Sequence, residues 1–205
     1  SEQQTQLAED AGVLNINGGD SSFDAANYDS YAFLTPIGVL RGQTRQIYAA
    51  TANENVYTDL WRARFYGYRD AIQSFRNTEA PVRIKPIDIY YHYYSGERQA
   101  SMAALNEAYT YAISQPIQPV FVSEYIRIAQ DFFSTQLEHL PDGGFRIVNR
   151  GQLKTIRFDD TTQVVDLTRS SGVLGFNHSQ GSLYVHLDQN SEHVLYLTTL
   201  PQTQP

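Results

Sequence analysis

The hydrophobic positions of this chain fall into two textures. From residue 11 to about 135, short apolar runs alternate with polar loops and with stretches of helical period. Val13 to Ile16, in GVLNINGGD, reads as a short buried strand ended by Gly18-Gly19. Pro36 to Leu40 and Gln46 to Ala50 are two further strand candidates. Phe65, Tyr68, Ile72 and Phe75 are spaced for one helical face, and NTEAPVR breaks that helix. Ile84 to Tyr91 is the clearest buried strand. Between Glu97 and Ser114, Met102, Leu105, Tyr109, Ala112 and Ile113 recur at helical intervals, and Gln115-Pro116 closes the helix. PVFVS, residues 119 to 123, predicts another strand, and Ser123 can cap a helix with Tyr125, Ile128, Ala129 and Phe132 on one face. The order strand, loop or helix, strand is that of βα units on a parallel sheet.

Beyond about Glu138 the texture changes. PDGG is a turn signal, and FRIVN, QLKTIRF, VLGFNHS, SLYVHLD and HVLYLTT all read as short strands. NHSQGS, between Phe176 and Leu183, predicts a hairpin connection. The pattern gives two regions: an α/β domain over residues 11–137 and a small antiparallel β module over 138–200. So small a sheet has little core of its own and is expected to dock on the first domain.

Composition narrows the function classes. A hydrophobic fraction of 41% with ordinary charge content is that of a folded globular chain. The net charge of −7 argues against a nucleic-acid binder, which needs a basic surface to displace counterions. With no cysteine, disulfides, thiolate metal sites and a cysteine nucleophile are excluded. No apolar run approaches the ~20 residues that span a bilayer. SEQQTQLAED lacks the basic and apolar regions of a signal peptide and reads as the middle of a longer chain. The 15 tyrosines are sugar platforms or core material, and packing is the commoner use of such rings.

In α/β folds ligands gather beyond the carboxyl ends of the strands. Three groups fall there: Asn15, Asn17 and Asp20 after the first strand, Glu54 and Asn55 after the third, and His92 with Tyr94 after the fourth. Each has a structural alternative. NGGD is a tight turn, NEN a loop brace, and His92 a core histidine bonded to a backbone carbonyl. GxGxxG, the Walker pattern and GxSxG are absent. No two of the five histidines have the i, i+4 spacing of a helical metal motif.

The runs VLNINGGDSSFD, IYAATANENVYTDLW, FYGY, RIKPIDIYYHYYSGER and PVFVSEYIRIAQDFF resemble the C-terminal part of PelA-type proteins, as do SSGVLGF and LYVHL in the β tail. These are periplasmic polysaccharide deacetylase and glycoside hydrolase proteins of the Pel exopolysaccharide pathway. The resemblance covers most of the chain. It implies part of a NodB-like distorted (β/α) barrel, followed by the β module, and a periplasmic or extracellular location. It also implies a divalent, zinc-like metal in the full-length enzyme, which activates water while a histidine protonates the leaving amine. The motif of a strand ending in His matches IYYHYYSG, with His92 as general acid. Asn15, Asn17, Asp20, Glu54, Asn55, Trp61, Tyr91 and Tyr94 would line the sugar subsites. The HxxxH motif and the paired-acid segment of such enzymes are absent, and Asp159-Asp160 lies in the β tail, out of order. The expectation is therefore a C-terminal segment of an N-acetyl amino sugar deacetylase, inactive without the upstream part of the same protein. Its partners would be that part, the polysaccharide and other exopolysaccharide-export proteins. The alternative is a non-catalytic carbohydrate-binding or partner-docking module. A stand-alone glycosidase would need Asp20 and Glu54 within roughly 5–10 Å of each other across one cleft.

Overall fold

A computed structural model describes residues 2–18, 21–23, 31–49, 67–79, 85–91, 93–149 and 151–201. Among these residues the fold is mixed α/β, with four α-helices and several small sheets, and no sheet closes into a barrel. None of the described helices is long and apolar enough to cross a membrane. The chain divides into two compact units, residues 1–120 and 121–205. The division lies upstream of the change in texture at Glu138, so the helix expected after Ser123 is grouped with the β module.

The N-terminal unit opens with α1 (Glu2–Asp10), a polar helix with no apolar stripe in which Thr5 is the buried residue. Strand β1 (Ile16–Gly18) follows, then β2 (Ser21–Phe23) and β3 (Tyr31–Leu34), which pair with each other. β4 (Gly38–Arg41) and β5 (Thr44–Ala49) form an antiparallel hairpin. Its two-residue turn starts at Gly42, whose φ of 65° suits a primed hairpin turn that a side chain would strain. β1 pairs with β5 in parallel, so the sheet order is β1-β5-β4. One strand pair is thus parallel, as expected from the sequence, but the described elements between β1 and β5 are strands rather than a helix, and the other pair is antiparallel. On β5, Ile47 and Ala49 are buried while Gln46 and Tyr48 on the other face are half-buried.

Helix α2 (Gly67–Asn77) buries Phe75 completely, with its ring stacked on Tyr111 at 6.3 Å. Helix α3 (Gln99–Ser114) packs against α2, but not by the face its large residues suggest. The buried positions are Ser101, Ala104, Leu105, Ala108 and Ala112, whereas Tyr109 is 40% and Ile113 81% exposed. Small side chains let two helices approach closely, so the alanine stripe takes the contact. Residues 85–91, expected as a buried strand, belong to no strand. Pro86 has no N–H to give a ladder. Ile89 instead packs on the Ala104, Leu105 and Ala108 cluster with Ile72. A 3-10 turn spans Tyr93–Glu97.

In the C-terminal unit the expected strand at 119–123 is absent. Helix α4 (Val122–Ser134) begins there, with Phe121 rather than Ser123 at the cap position. Glu124 secures this start by accepting the Phe121 N–H at 3.0 Å. The strands that follow are β6 (Gln136–His139), β7 (Phe145–Val148), β8 (Thr155–Phe158), β9 (Val164–Val165), β10 (Val173–Ser179), β11 (Ser182–Leu187), β12 (Glu192–Leu195) and β13 (Leu197–Thr198). All their pairings are antiparallel, in the orders β12-β7-β6, β10-β11-β8 and β13-β9. The β10–β11 hairpin turns on Gln180 and Gly181, with φ of 51° and 81°, the two left-handed residues of a type I′ turn. Ile147, Val165, Phe176, Leu183, Val185, Leu187 and Leu195 form one core.

Candidate functional site

The polar face of the β1-β5-β4 sheet carries a two-lobed groove. Register sets its composition. Asn17 lies beside Tyr48, and Val39 and Arg41 lie opposite Gln46 and Thr44, so alternate residues of three strands project to one side. One lobe, of about 620 Å³, is lined by Asn17, Thr35, Pro36, Arg41, Tyr48 and Tyr90 among others. The second, of about 480 Å³, shares Asn17, Arg41 and Tyr48 and adds Gln46 with Glu2 and Thr5 of α1. The larger lobe includes Gly18, the last residue of β1, and so lies toward the carboxyl ends of the parallel pair β1 and β5.

Arg41 donates to the Tyr48 hydroxyl at 3.3 Å. It makes no ion pair among the described residues, so most of its donor fork is open to a ligand. The Gln46 amide, which lines the smaller lobe, donates to the Ile47 carbonyl at 3.0 Å. The Glu2 carboxylate sits over Gly42, where a Cβ would collide with it. Lys85 donates to the Thr35 carbonyl at 3.5 Å beneath the larger lobe, and burial holds its ammonium below the usual lysine range.

The sequence-predicted residues distribute unevenly. Asn17 lines both lobes. Asn15 precedes β1, lines neither, and keeps a buried Oδ1 with no hydrogen-bond partner among the described residues. Tyr91 is 44% exposed and lies outside the groove lining, where its neighbour Tyr90 takes the place in the larger lobe. Tyr94 falls in the 3-10 turn. Asp20, Glu54, Asn55, Trp61 and His92 lie outside the described residues.

No family model matches the chain, and neither a curated protein nor a solved structure does.

Sequence reasoning missed Arg41, Tyr48 and Gln46. A residue pattern would flag them only if the strands were already known to pair, because they lie within strands rather than after them. It also passed over Asp88, inside the very segment that drew attention to His92. Burial pushes the Asp88 carboxyl above the usual carboxylate range. The Tyr109 phenol is raised by burial, then by Tyr91 and Asp88 nearby.

The described residues do not supply a donor set for the divalent metal that the resemblance implies. No group of three or more His, Asp or Glu among them is arranged to hold an ion. The charged clusters of the C-terminal unit are braces. His193, fully buried, donates through Nε2 to Asp188 Oδ1 at 2.9 Å. The Asn190 N–H and then His193 hold the Asp188 carboxyl below the usual range. Tyr196 donates to Asp142 Oδ2 at 2.7 Å while Arg169 lies over its ring at 3.7 Å. Asp131 of α4 accepts the N–H groups of Gln152 and Leu153 at 3.1 and 2.8 Å, tying the helix to the 151–153 loop.

Proposed function

We propose that this chain is the C-terminal segment of a metal-dependent polysaccharide deacetylase acting on N-acetyl amino sugars in exopolysaccharide biosynthesis, in the periplasm or outside the cell. Its N-terminal unit supplies a sugar groove, and the upstream part of the same protein supplies the metal ligands. In the reaction the amide C–N bond breaks, water provides the hydroxyl of the released acetate, and the amine gains a proton. His92 is the general acid of this reading. The parallel pair β1/β5 is the portion of a NodB-like barrel that this segment contributes.

The observation that carries the reading is the groove itself. Amide, hydroxyl and guanidinium groups from three strands converge on one polar face beside an aromatic wall at Tyr90. Sugars are bound by this combination, since hydroxyls need many directional partners and ring faces need a flat apolar surface. The second reading, a carbohydrate-binding module without chemistry, draws on the same groove together with the missing metal donor set among the described residues.

Deacetylase activity with added zinc or cobalt separates the two. The first reading expects activity only in a chain extended upstream, abolished by His92→Ala. An active extended chain that tolerates His92→Ala removes that residue from the chemistry. No activity in any extension, with oligosaccharide binding retained, favours the binding module. Activity of this chain alone would overturn the split arrangement of the site.

A further inference from the structure

The groove is electrostatically asymmetric. Among the described residues lining the larger lobe, Arg41 is the single charged side chain, and the remainder are apolar, amide or hydroxyl groups. In the smaller lobe Arg41 is joined by Glu2, whose carboxylate is steered over Gly42 by the packing of α1 against β5. Neither charge is spent on an ion pair among the described residues. A guanidinium is a fixed cation that donates well to an oxygen and opposes an ammonium.

We propose that the two lobes read the acetylation state of the sugar chain, the Arg41 lobe taking an acetylated residue and the Glu2 lobe tolerating a free amine. The inference rests on the carbohydrate reading above and adds a selectivity to it. An acetamido group is neutral and offers a carbonyl oxygen to Arg41. After deacetylation the same position carries an ammonium, which Arg41 repels in the larger lobe and Glu2 attracts in the smaller. A groove of this kind favours substrate over product where the cation stands alone. It lets a chain that already carries amines advance with those residues on the acidic side. Arg41 and Glu2 are specificity residues in this arrangement, with no part in the bond-breaking step.

The test is calorimetric titration of this chain with two probes, the tetramer of N-acetylglucosamine and its fully deacetylated counterpart, at low salt and at a pH where free amines are protonated. The wild type is expected to bind the acetylated tetramer more tightly. Arg41→Gln should shrink the ratio by about 3- to 10-fold, the size of a screened repulsion between two partly solvated charges, mainly by strengthening the amine probe. Glu2→Gln should weaken the amine probe and leave the acetylated one unchanged. Both side chains are exposed, so neither variant threatens the fold. Equal binding of the two tetramers by the wild type, or a ratio unmoved by Arg41→Gln, overturns the selectivity while the sugar groove stands. If neither tetramer binds, the carbohydrate reading falls, and the selectivity with it.

Discussion

The described polar groups of the two units differ in degree: more of those singled out in the C-terminal unit are held by the protein, and more of those in the N-terminal unit are desolvated or face a groove. In the C-terminal unit several buried polar side chains close on the protein itself, although His193 Nδ1 is buried with no partner among the described residues. Asp131 caps two backbone N–H groups, Asn149 bridges the Gly151 N–H and the Leu153 carbonyl, and His193 is held by Asp188. In the N-terminal unit four described polar groups stand out. Asp88 and Lys85 are desolvated, Asn15 Oδ1 is buried without a partner among the described residues, and Arg41 faces a groove. A module whose polar groups satisfy one another contributes stability, whereas open donors and desolvated charges lower stability and are where binding resides.

The sharpest test of this contrast is the C-terminal core. Leu183 is fully buried in it, so Leu183→Ala should lower stability by about 2–5 kcal/mol in a denaturant titration. A loss well below that range would mean the β unit is loosely packed. Removing a brace comes next. Asp131→Ala leaves two donors of the 151–153 loop without their acceptor and should cost roughly 1–3 kcal/mol. Hydrogen exchange would localise the loss to the loop and the end of α4. In the N-terminal unit Gly42→Ala forces a side chain into a left-handed turn and toward Glu2, an effect of about 1–2 kcal/mol by the same titration.

The responses to pH should differ in sign. The carboxyls of Asp142, Asp159, Asp166, Asp188 and Glu192 in the C-terminal unit are held below their ordinary values by hydrogen bonds. Their contribution is present above the ordinary carboxylate values and is lost as pH falls through the lower folded ones. Asp88 is raised, so its penalty applies at neutral pH and is relieved as pH falls through its folded value toward the unfolded one. Asp88→Asn should therefore raise the unfolding midpoint of the N-terminal unit at neutral pH and leave it unchanged in acid, as site-resolved NMR melts would report. A lower midpoint at neutral pH would show that the Asp88 charge is stabilising. The smallest effect is expected from Arg146→Ala on the exposed β7 surface, where solvent screens its pairs with Glu192 and Glu138.

Particular elements show what was legible in the sequence. Short apolar runs between turn residues marked β7, β8, β10, β11 and β12, and Gln180-Gly181 sits where the β10–β11 hairpin turns, whereas β6, exposed along its whole length, and the two-residue β9 left no such mark. Period alone misjudged the packed face of α3, since alanine weighs little in a hydrophobic pattern yet permits the closest helix contact. It also took residues 85–91 for a strand, because an extended apolar segment looks alike with or without a ladder partner. The polar helix α1 left no apolar stripe to find. Asn17, expected just after a strand, falls within β1 and lines the groove, while Arg41, Gln46 and Tyr48 became its neighbours only through the register of β1, β5 and β4.

The sequence alone determined the change of texture near Glu138, the hairpin turn within NHSQGS, the absence of cysteine and a net charge of −7. These depend on residue type and local spacing, which tertiary contacts do not alter. The tertiary structure decided which face of each helix is packed, which carboxyl is stripped of water, and which side chains of three separate strands meet in one groove. Those are properties of residues distant in the chain, and only pairing and burial bring them together.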